Sequence, residues 1–531
     1  MEVPELRPWR AARPHVVRAA GAVRPRLARA ARAARPRLTR LARATAPQLT
    51  RGPKTWQYTA GAATAGLALA AGVVTAAGPW DSTGQRTAER DRAVALERTG
   101  GADHGSAGPG AAASGTPRPA PSAASVLTAL AGTSGADPGG VKAAPRGEAL
   151  ADALGPLLDD PALGTRRGAA VVDLTTGKRL YGAGAGTALT PASTTKIATA
   201  VAALSALGPD HRLTTRTALE SDTGELVLVG GGDPTLTARA RAGGQASLRT
   251  LAEQTAAALK KRGVREVTLS YDTTLYAGTE MHPIGVNENL APVTALMADE
   301  ARTDDSTSGP APRAADPAAD AARAFAGFLG GHGIKTSAPG PSKATARAAT
   351  LATVSSPPLS ALVERMLTHS DNDLAEALAR HTAVATGQRA DFGGVSAAVT
   401  ARLKQLGLPV RGAVFHDGSG LDRTDRLTAD LLTALLAKAA DPARPELRPV
   451  LTGLPVAGFT GTLSGRYTDG AAGLVRAKTG TLTGVNTLAG TVATPDGRLL
   501  AFAFLTRDTT NPQAAQTALD RAATSLASRT P

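Results

Sequence analysis

The sequence contains no cysteine, and its eight histidines form no pair typical of metal sites. The absence of cysteine excludes disulfide bridges and thiolate chemistry, although it is compatible with export. Neither His-x-x-x-His nor His-Glu-x-x-His occurs, so we expect no metal and no other cofactor. The segment GGGDPTL at 230–236 lacks the Gly-Lys-Ser/Thr of a phosphate-binding loop, and we interpret it as a turn after a strand.

Positive charge is concentrated at the N-terminus. The chain of 531 residues has a net charge of +15, but residues 1–54 alone contain 14 basic and two acidic side chains. The remainder of the chain is nearly neutral. Because most of the net positive charge belongs to a tail, we expect no nucleic-acid partner.

No charged residue occurs between Thr55 and Trp80. The apolar centre of this segment, residues 59–78, would span about 30 Å as a helix, which matches the core of a bilayer. The arginines before it predict a cytoplasmic N-terminus, so we expect residues 55–80 to form a single transmembrane anchor in the cell membrane, with an extracellular body. Two alternatives stay open: a signal cleaved near residues 74–76, which would give a secreted protein, and a buried helix of a soluble protein.

Composition and periodicity divide the chain into five parts. We expect a mostly disordered basic tail at 1–54, the anchor at 55–80 and a disordered Gly/Ala/Pro-rich linker at 81–145. Strand patterns near both ends of the remaining chain predict an α+β fold. In it, one antiparallel sheet flanked by helices is assembled from residues 146–211 and 351–531. Residues 212–350 have strand and helix patterns of their own and are predicted to be an inserted α/β region.

The segment TPASTTKIATA, residues 190–200, places a serine three residues before a lysine. The apolar residues from Ile197 onward recur at helical spacing, so Ser193 and Lys196 would lie on one face of a helix. A serine hydroxyl needs a base to become a nucleophile at neutral pH, and a neutral lysine beside it is a candidate. The alternative is a helix N-cap followed by a solvated lysine.

Two further short motifs bear on this choice. Ser-Asp-Asn at 370–372 lies at the start of a predicted helix, and Lys-Thr-Gly-Thr at 478–481 lies on a predicted strand. Each of the three signatures occurs once in the chain. Individually they are ordinary caps and strand ends, but together and in this order they are the signature of penicillin-binding proteins and class A β-lactamases.

With these three motifs the chain resembles the penicillin-recognising serine enzymes. It is most similar to the D-alanyl-D-alanine carboxypeptidase/endopeptidase family, the class C low-molecular-mass penicillin-binding proteins. The resemblance covers about residues 147–525 and includes the gap of 177 positions between Ser193 and Ser370, which in that family holds inserted domains. It implies a penicillin-binding/β-lactamase-like transpeptidase fold and a D,D-peptidase acting on peptidoglycan stem peptides. β-Lactams would be its covalent inhibitors.

The resemblance implies the roles of the reacting groups. Ser193 would attack the carbonyl of the penultimate D-alanine and form an acyl-enzyme, and Lys196 would accept the hydroxyl proton. This requires a lowered lysine pKa, which burial and the nearby Lys478 cation would both favour. Ser370 would relay the proton to the departing amine, and Asn372 would hydrogen-bond the substrate's amide.

The third motif is expected to bind the end of the substrate. Lys478 would face the terminal carboxylate together with Thr479 or Thr481. Gly480 would let the substrate backbone approach the strand closely. The N–H groups of Ser193 and Thr481 would form the oxyanion hole, as the resemblance implies.

Other segments similar to the family suggest further candidates. Glu288 lies just before NLAPVTALMADEAR (289–302), where the resemblance implies an acidic residue that recognises the peptide's side-chain amine. In FHDGSGLDRTDRLT (415–428), His416, Asp417 and Ser419 have the residue types of a catalytic triad. Because all three lie in one glycine-rich loop, we interpret them as part of a structural loop at the rim of the site.

One absence separates this chain from class A β-lactamases. No asparagine occurs between Asn372 and Lys478, so the Glu-x-x-Leu-Asn segment that activates their deacylating water is missing. We therefore expect a long-lived penicillin acyl-enzyme. Two other functions stay open: a membrane-anchored β-lactam or muropeptide sensor acylated without turnover, and an esterase or amidase. The predicted carboxylate site at 478–481 argues against the esterase or amidase.

Overall fold

The computed structural model describes residues 147–467 and 470–528. The predicted tail, anchor and linker at 1–54, 55–80 and 81–145 therefore lie outside the described residues. Among the residues described, no helix combines the length and the apolar character needed to cross a bilayer.

The described chain contains both α-helices and β-strands. The helices are α1 (Gly147–Leu158), α2 (Thr195–Leu207), α3 (Leu248–Lys261), α4 (Pro317–Gly331), α5 (Leu359–His369), α6 (Asn372–Ala385), α7 (Phe392–Gln405), α8 (Ala429–Ala440), α9 (Pro449–Thr452) and α10 (Pro512–Ala527). The strands are β1 (Arg166–Asp173), β2 (Arg179–Ala183), β3 (Thr214–Leu219), β4 (Glu225–Val229), β5 (Glu266–Asp272), β6 (Lys335–Thr336), β7 (Gly340–Pro341), β8 (Ala349–Ser355), β9 (Val475–Leu482), β10 (Val485–Ala493) and β11 (Leu499–Arg507).

Local sequence sets where most of the longer helices begin. Helices α3, α4, α6, α7, α8 and α10 each start after a short polar residue whose side chain accepts a hydrogen bond from a backbone N–H of the first turn, which satisfies one otherwise unpaired donor. These capping residues are Ser247, Asp316, Asp371, Asp391, Thr428 and Asn511.

The first sheet is antiparallel and joins distant parts of the chain. Its strand order is β2-β1-β11-β10-β9, so the N-terminal hairpin pairs with the C-terminal strands. Strand β1 pairs with β11 from Arg166 opposite Arg507 to Asp173 opposite Leu500. The prediction of an antiparallel sheet flanked by helices is confirmed.

Both faces of this sheet are buried. Successive side chains of a strand point to opposite faces. Leu500, Phe502 and Phe504 accordingly belong to a core that also contains residues of α1 and α10. Ala501 and Ala503 belong to a second core, formed with α2 and α5–α8. The small alanines on this second face leave room for the helices that carry two of the three motifs.

The second sheet is mixed and lies between the first and second motifs. Its order is β6-β5-β4-β3-β8, with β7 also pairing with β5. Strand β3 is antiparallel to β4 and β8, whereas β5 is parallel to β4, β6 and β7. Apolar residues of this sheet share a core with α3 and α4.

The inserted sheet extends beyond the boundary predicted at residue 350. Strand β8 runs to Ser355, and Ser355 pairs with Thr214 of β3. Of the seven residues in β8 only Ala352 is buried, because β8 is an edge strand. An edge strand with one buried residue has little of the apolar alternation that marks a strand in sequence.

Candidate active site

The segment with the candidate nucleophile forms a tight turn beneath a cavity of about 290 Å³. Ser193 is the middle residue of a single 3-10 turn, Ala192–Thr194, that leads directly into α2. The Pro191 carbonyl before it accepts hydrogen bonds from Thr194 Oγ1 at 2.7 Å and from Thr487 Oγ1 of β10 at 2.8 Å. The sheet therefore fixes the turn, and the half-buried Ser193 lines the cavity.

Lys196 is fully buried in the first turn of α2. Its Nζ donates to Ser193 Oγ at 3.1 Å, to Asn372 Oδ1 at 2.6 Å and to the Ser419 carbonyl at 2.8 Å. Burial lowers the pKa of Lys196 to about 8, against the opposing pull of nearby carboxylates, of which Asp417 is the strongest. A lysine with this pKa is partly neutral at physiological pH, so its amine has a lone pair available to take a proton.

The second motif joins α5 to α6. Ser370 ends α5 in the left-handed conformation, with φ 58° and ψ 39°. The next residue, Asp371, caps α6 by accepting a hydrogen bond from Leu374 N–H at 3.0 Å. Asn372 Nδ2 donates to the Asn289 carbonyl at 2.8 Å, while its Oδ1 accepts the bond from the lysine. The Asn372 amide therefore links the base to the inserted region.

The third motif brings a second buried lysine to the same place. Lys478, on β9, donates from Nζ to Ser370 Oγ at 2.9 Å and to the Thr479 carbonyl at 2.7 Å. Burial lowers the pKa of Lys478 well below its usual value, and the positive charge of Lys196 lowers it further. The site thus contains two serine–lysine pairs, Ser193 with Lys196 and Ser370 with Lys478.

Residues that flank Gly480 on β9 line the cavity. Thr479 and Thr481 are both among its lining residues, and Thr479 Oγ1 donates to Thr462 Oγ1 at 3.0 Å. Ser193 and Thr481, the predicted oxyanion donors, line the same cavity.

The structure gives Gly480 a different role from the predicted close approach of substrate. A Cβ at this position would overlap Thr487 Oγ1 and lie 2.8 Å from the Pro191 carbonyl oxygen. Glycine is therefore required where β9 packs on the nucleophile turn, and its bare side faces the protein rather than the cavity.

Glu288 does not line the cavity. Its side chain is exposed, and its backbone carbonyl accepts a hydrogen bond from Ala311 N–H at 2.9 Å. The neighbouring Asn289 lines the cavity instead. The prediction that Glu288 recognises a substrate amine therefore lacks geometric support, because position within an irregular loop does not determine which side chain faces the site.

The loop with triad-like residues contacts both the cavity, through Leu421, and Lys196, through the Ser419 carbonyl. Asp417 and Ser419 are buried, and Asp417 bonds to His282 of the inserted region at 3.0 Å. His416 is bonded instead to Thr424 Oγ1, at 3.1 Å. These residues form no triad, and the loop's contribution is the Ser419 carbonyl that accepts from Lys196.

Two clusters have the residue types of a metal site, with ligand atoms within 4.8 Å of one another. In the first, His282 bonds to Asp417, and Glu376 accepts hydrogen bonds from the N–H groups of Gly418 and Ser419. The second contains Glu300, Asp371 and Asp373, whose charges are matched by three arginines. Protons and guanidinium groups already satisfy these oxygens, so neither cluster requires a cation.

The inserted region supplies part of the cavity wall. Among the cavity-lining residues, Asn289, Arg302, Arg313 and the segment 308–310 all belong to it. None of these residues belongs to the three motifs. The only signal for them is the family-like segment at 289–302, which begins with Asn289 and ends with Arg302.

Comparisons with known proteins agree with this geometry. The model of the D-Ala-D-Ala carboxypeptidase 3 (S13) family matches residues 150–312 and 301–526. A carboxypeptidase of Mycobacterium tuberculosis is 37% identical over 383 residues, covering 69% of this chain and 81% of the relative. A carboxypeptidase of Mycolicibacterium smegmatis is 38% identical over 396 residues, covering 70% and 84%.

A solved structure shows the same fold. The crystal structure of penicillin-binding protein 4 from Haemophilus influenzae has a TM-score of 0.58 at 21% identity, covering 71% of this chain and 98% of that one. The same protein complexed with a β-lactam gives a TM-score of 0.56. At this level of identity the match concerns the fold alone.

Proposed function

The chain belongs to the D-Ala-D-Ala carboxypeptidase 3 (S13) family, and on that premise we propose how this serine-type D-alanyl-D-alanine carboxypeptidase works. It removes the terminal D-alanine from peptidoglycan stem peptides through an acyl-enzyme on Ser193, and it also cuts D-alanyl cross-links as an endopeptidase. The observation that carries the proposal is the 3.1 Å hydrogen bond between Lys196 Nζ and Ser193 Oγ, beneath a cavity that the other two motifs line.

Acylation begins with the first serine–lysine pair. Neutral Lys196 takes the hydroxyl proton as Ser193 Oγ attacks the carbonyl carbon of the penultimate D-alanine. The N–H groups of Ser193 and Thr481 receive the developing oxyanion, and one such donor typically contributes about 2.7–4 kcal/mol to barrier lowering.

The second pair completes the step. As the peptide C–N bond breaks, the proton that Lys196 took from Ser193 is relayed through the Ser370 hydroxyl to the nitrogen of the departing D-alanine, and an ester on Ser193 remains. Lys478 holds the Ser370 hydroxyl in place through their 2.9 Å hydrogen bond. Asn372 is close enough to Lys196 to orient both the base and the substrate's amide.

The substrate's terminal carboxylate binds beside β9. Thr479 and Thr481 offer hydroxyl donors, and Lys478 lies directly behind them. Because burial and Lys196 lower the pKa of Lys478, an incoming carboxylate raises that pKa again and favours the charged ammonium. Substrates that end in a free carboxylate are selected in this way, which distinguishes a carboxypeptidase from a general esterase or amidase.

β-Lactams act on this chain as slow-turnover covalent inhibitors. No glutamate of the class A type is available to activate water after acylation, and a protein of the same fold has been crystallised with a β-lactam. Acylation without peptide turnover, as in a sensor, is not favoured, because the family and the relatives are named for carboxypeptidase activity.

We further propose that the catalytic part lies outside the cell membrane and is anchored through residues 55–80. The support is the uncharged segment and the arginine-rich sequence before it. The test is fractionation of cells expressing the full chain, with and without residues 55–80. Equal amounts of soluble exported protein from both would contradict the anchor.

The activity is tested by D-alanine release from a diacyl-peptide ending in D-Ala-D-Ala, with the full-length chain in detergent. Benzylpenicillin is expected to block the release, and Ser193→Ala is expected to abolish it, since loss of such a nucleophile typically costs about 10⁶-fold. Stoichiometric penicillin labelling of wild-type protein without D-alanine release would contradict the proposal. So would release that survives in Ser193→Ala.

A further inference from the structure

A compact ionic cluster joins the inserted region to the Ser370–Asn372 motif. Three carboxyl groups each place an oxygen within 4.8 Å of the others, and three guanidinium groups pair with them. The six residues are Glu300, Asp371, Asp373, Arg302, Arg313 and Arg365. The cluster stands beside the catalytic cavity. Four of its six members line that cavity: Arg302, Arg313, Asp371 and Asp373.

Glu300 occupies a strained turn of the inserted region. Three consecutive residues, Asp299, Glu300 and Ala301, have φ values of 52°, 56° and 52°. The left-handed region costs a residue with a side chain roughly 1–2 kcal/mol. Such a turn persists only where its surroundings hold it, and strain of this kind is concentrated near functional sites. The side chain of Glu300 is buried, with 3% of its surface exposed.

The carboxylate of Glu300 is held by two arginines from different elements. Its Oε2 accepts from Arg302 Nε at 2.7 Å, and its Oε1 accepts from an Arg365 terminal nitrogen at 2.5 Å. Arg365 lies on α5, one turn before Ser370, and its Nε is 3.5 Å from Asp371 Oδ2. Glu300 therefore connects the inserted turn to the end of α5 and to the cap of α6.

The residue on the other side of Asn372 is fixed by the same region. Asp373 Oδ2 is paired with Arg313 at 2.9 Å, and its Oδ1 accepts from Ala291 N–H at 3.0 Å. The inserted region thus contacts both neighbours of Asn372. Ser370 is itself left-handed, a conformation that persists where the surroundings hold it.

We propose that Glu300 is a positioning residue for the proposed peptidase reaction. Its carboxylate, acting through Arg365 and Asp371, holds Ser370 and Asn372 in the geometry needed for proton relay. The inserted region then contributes to the rate of the chemical step. This inference rests on the proposed function, because it assigns a role to the same motif.

The protonation of the cluster agrees with this role. Burial raises the pKa of Asp371 well above its usual value, and the adjacent Glu300 charge raises it further. Burial would also raise the pKa of Glu300, but the hydrogen bond from Asp371 and the charge of Arg365 outweigh it and lower that pKa. Within this pair a proton is therefore favoured on Asp371 rather than on Glu300.

The neighbouring Asp299 provides a matched control. It belongs to the same left-handed turn, but its carboxylate accepts from Thr237 Oγ1 at 2.5 Å and from Ala238 N–H at 3.0 Å. It also pairs with Arg239 at 3.3 Å. All of these partners lie in the inserted region, away from the Ser370–Asn372 motif.

The test compares Glu300→Gln with Asp299→Asn in the full-length chain. Each removes one carboxylate charge from the turn with little change of shape. For Glu300→Gln we expect kcat for D-alanine release and the rate of benzylpenicillin acylation to fall roughly 10- to 100-fold, the scale of a small misplacement of catalytic groups. KM is expected to change little, because the group does not touch substrate. Asp299→Asn is expected to keep the wild-type kcat and the wild-type acylation rate. Its melting temperature is expected to fall by about as much as that of Glu300→Gln.

Two further variants keep the inference falsifiable if Glu300→Gln fails to fold. Arg365→Lys keeps the charge but loses the planar fork that reaches both carboxyls, so it should lower kcat in the same way. Asp371→Asn resembles the protonated acid and remains a good helix cap. Its kcat and acylation rate should therefore fall less than those of Glu300→Gln. If both Glu300→Gln and Arg365→Lys release D-alanine and react with benzylpenicillin as fast as Asp299→Asn does, the inference is overturned.

The two proposals fail in different ways. Absence of D-alanine release from the wild-type protein counts against the proposed function, and the penicillin acylation rates still test Glu300. Normal release and acylation in both Glu300→Gln and Arg365→Lys count against the positioning role alone.

Discussion

Two fully buried lysines share the site, and their partners differ. Lys196 faces the Ser193 hydroxyl and two further acceptors, Asn372 Oδ1 and the Ser419 carbonyl. Lys478 faces Ser370. Desolvation lowers the pKa of both amines, but nearby carboxylates counteract the shift for Lys196, whereas the charge of Lys196 adds to the shift of Lys478. The pKa values of the two lysines are therefore set by different neighbouring charges.

The first prediction concerns the pH dependence of acylation. If neutral Lys196 is the base, the second-order rate constant for benzylpenicillin acylation should rise with pH and level off above a midpoint near the pKa of about 8. Two units below that pKa the neutral fraction is about 100-fold smaller, so the rate at pH 6 should fall accordingly. The measurement is stopped-flow acylation from pH 6 to 10. A flat profile would contradict a lysine base.

For some residues the local sequence pattern is enough to predict which side chains meet in the site. Ser193 and Lys196 meet because positions three apart share a helix face. The exposed Glu288 and the buried Ser419 illustrate the opposite case. Both belong to irregular loops, in which contacts distant in sequence determine the orientation of each residue.

At the level of elements, the site depends on one close contact between strand β9 and the turn at 192–194. Gly480 makes that contact possible, because its bare side faces Thr487 and the Pro191 carbonyl. The same strand presents Thr479 and Thr481 to the cavity. The alternation of a strand therefore separates a packing residue from two binding residues within one motif.

The second prediction tests this packing. Gly480→Ala should lower the free energy of unfolding by about 1–3 kcal/mol, as overpacking of a tight contact usually does, and should slow acylation by displacing the Ser193 turn. Gly340→Ala in β7 is the matched control, since no atom lies within 4 Å of a Cβ built there. Urea unfolding and penicillin labelling measure the two effects. Equal stability and equal acylation in the two variants would refute the packing role.

At the scale of the whole molecule, the first sheet closes the fold by joining distant parts of the chain. Strand β11 lies between β1 and β10, so neither end of the catalytic part can build the sheet alone. An ion pair with a buried carboxylate reinforces this closure: Asp173 at the end of β1 accepts from Nε of the half-buried Arg498, just before β11, at 3.0 Å. Asp173 also accepts from Thr175 and Thr176 N–H in the hairpin turn.

The third prediction concerns this pair. Burial would raise the pKa of Asp173, but hydrogen bonds from Arg498, Thr176 and Thr175 outweigh it and lower that pKa. Asp173→Asn should therefore reduce the free energy of unfolding at pH 7 by roughly 1–3 kcal/mol. The wild-type advantage is complete above the unfolded pKa of about 3.9 and disappears as pH falls through the lower folded pKa.

Urea unfolding at pH 7 and at pH 3 measures this difference. Asp320→Asn is the control, because Asp320 and Arg323 form an exposed pair on α4 whose removal should change stability by less than about 1 kcal/mol. A difference between wild type and Asp173→Asn that grows toward acid pH would have the wrong sign.

The sequence alone determined the chemistry of this protein, because its three motifs are short and each is organised by local structure. A helical spacing places Ser193 beside Lys196, a cap begins α6 at Asn372, and a strand presents Thr479 and Thr481. The antiparallel sheet was also predictable, since its strands carry strong apolar patterns.

Only the tertiary structure decided how these motifs are connected. Lys196 meets Asn372 and Ser419 across 176 and 223 positions, and Glu300 reaches Arg365 across 65. Contacts over such separations follow from the packing of whole elements, in which burial outweighs local preference. That is why the sequence predicted the candidate reacting residues but not the contact between Glu300 and Arg365.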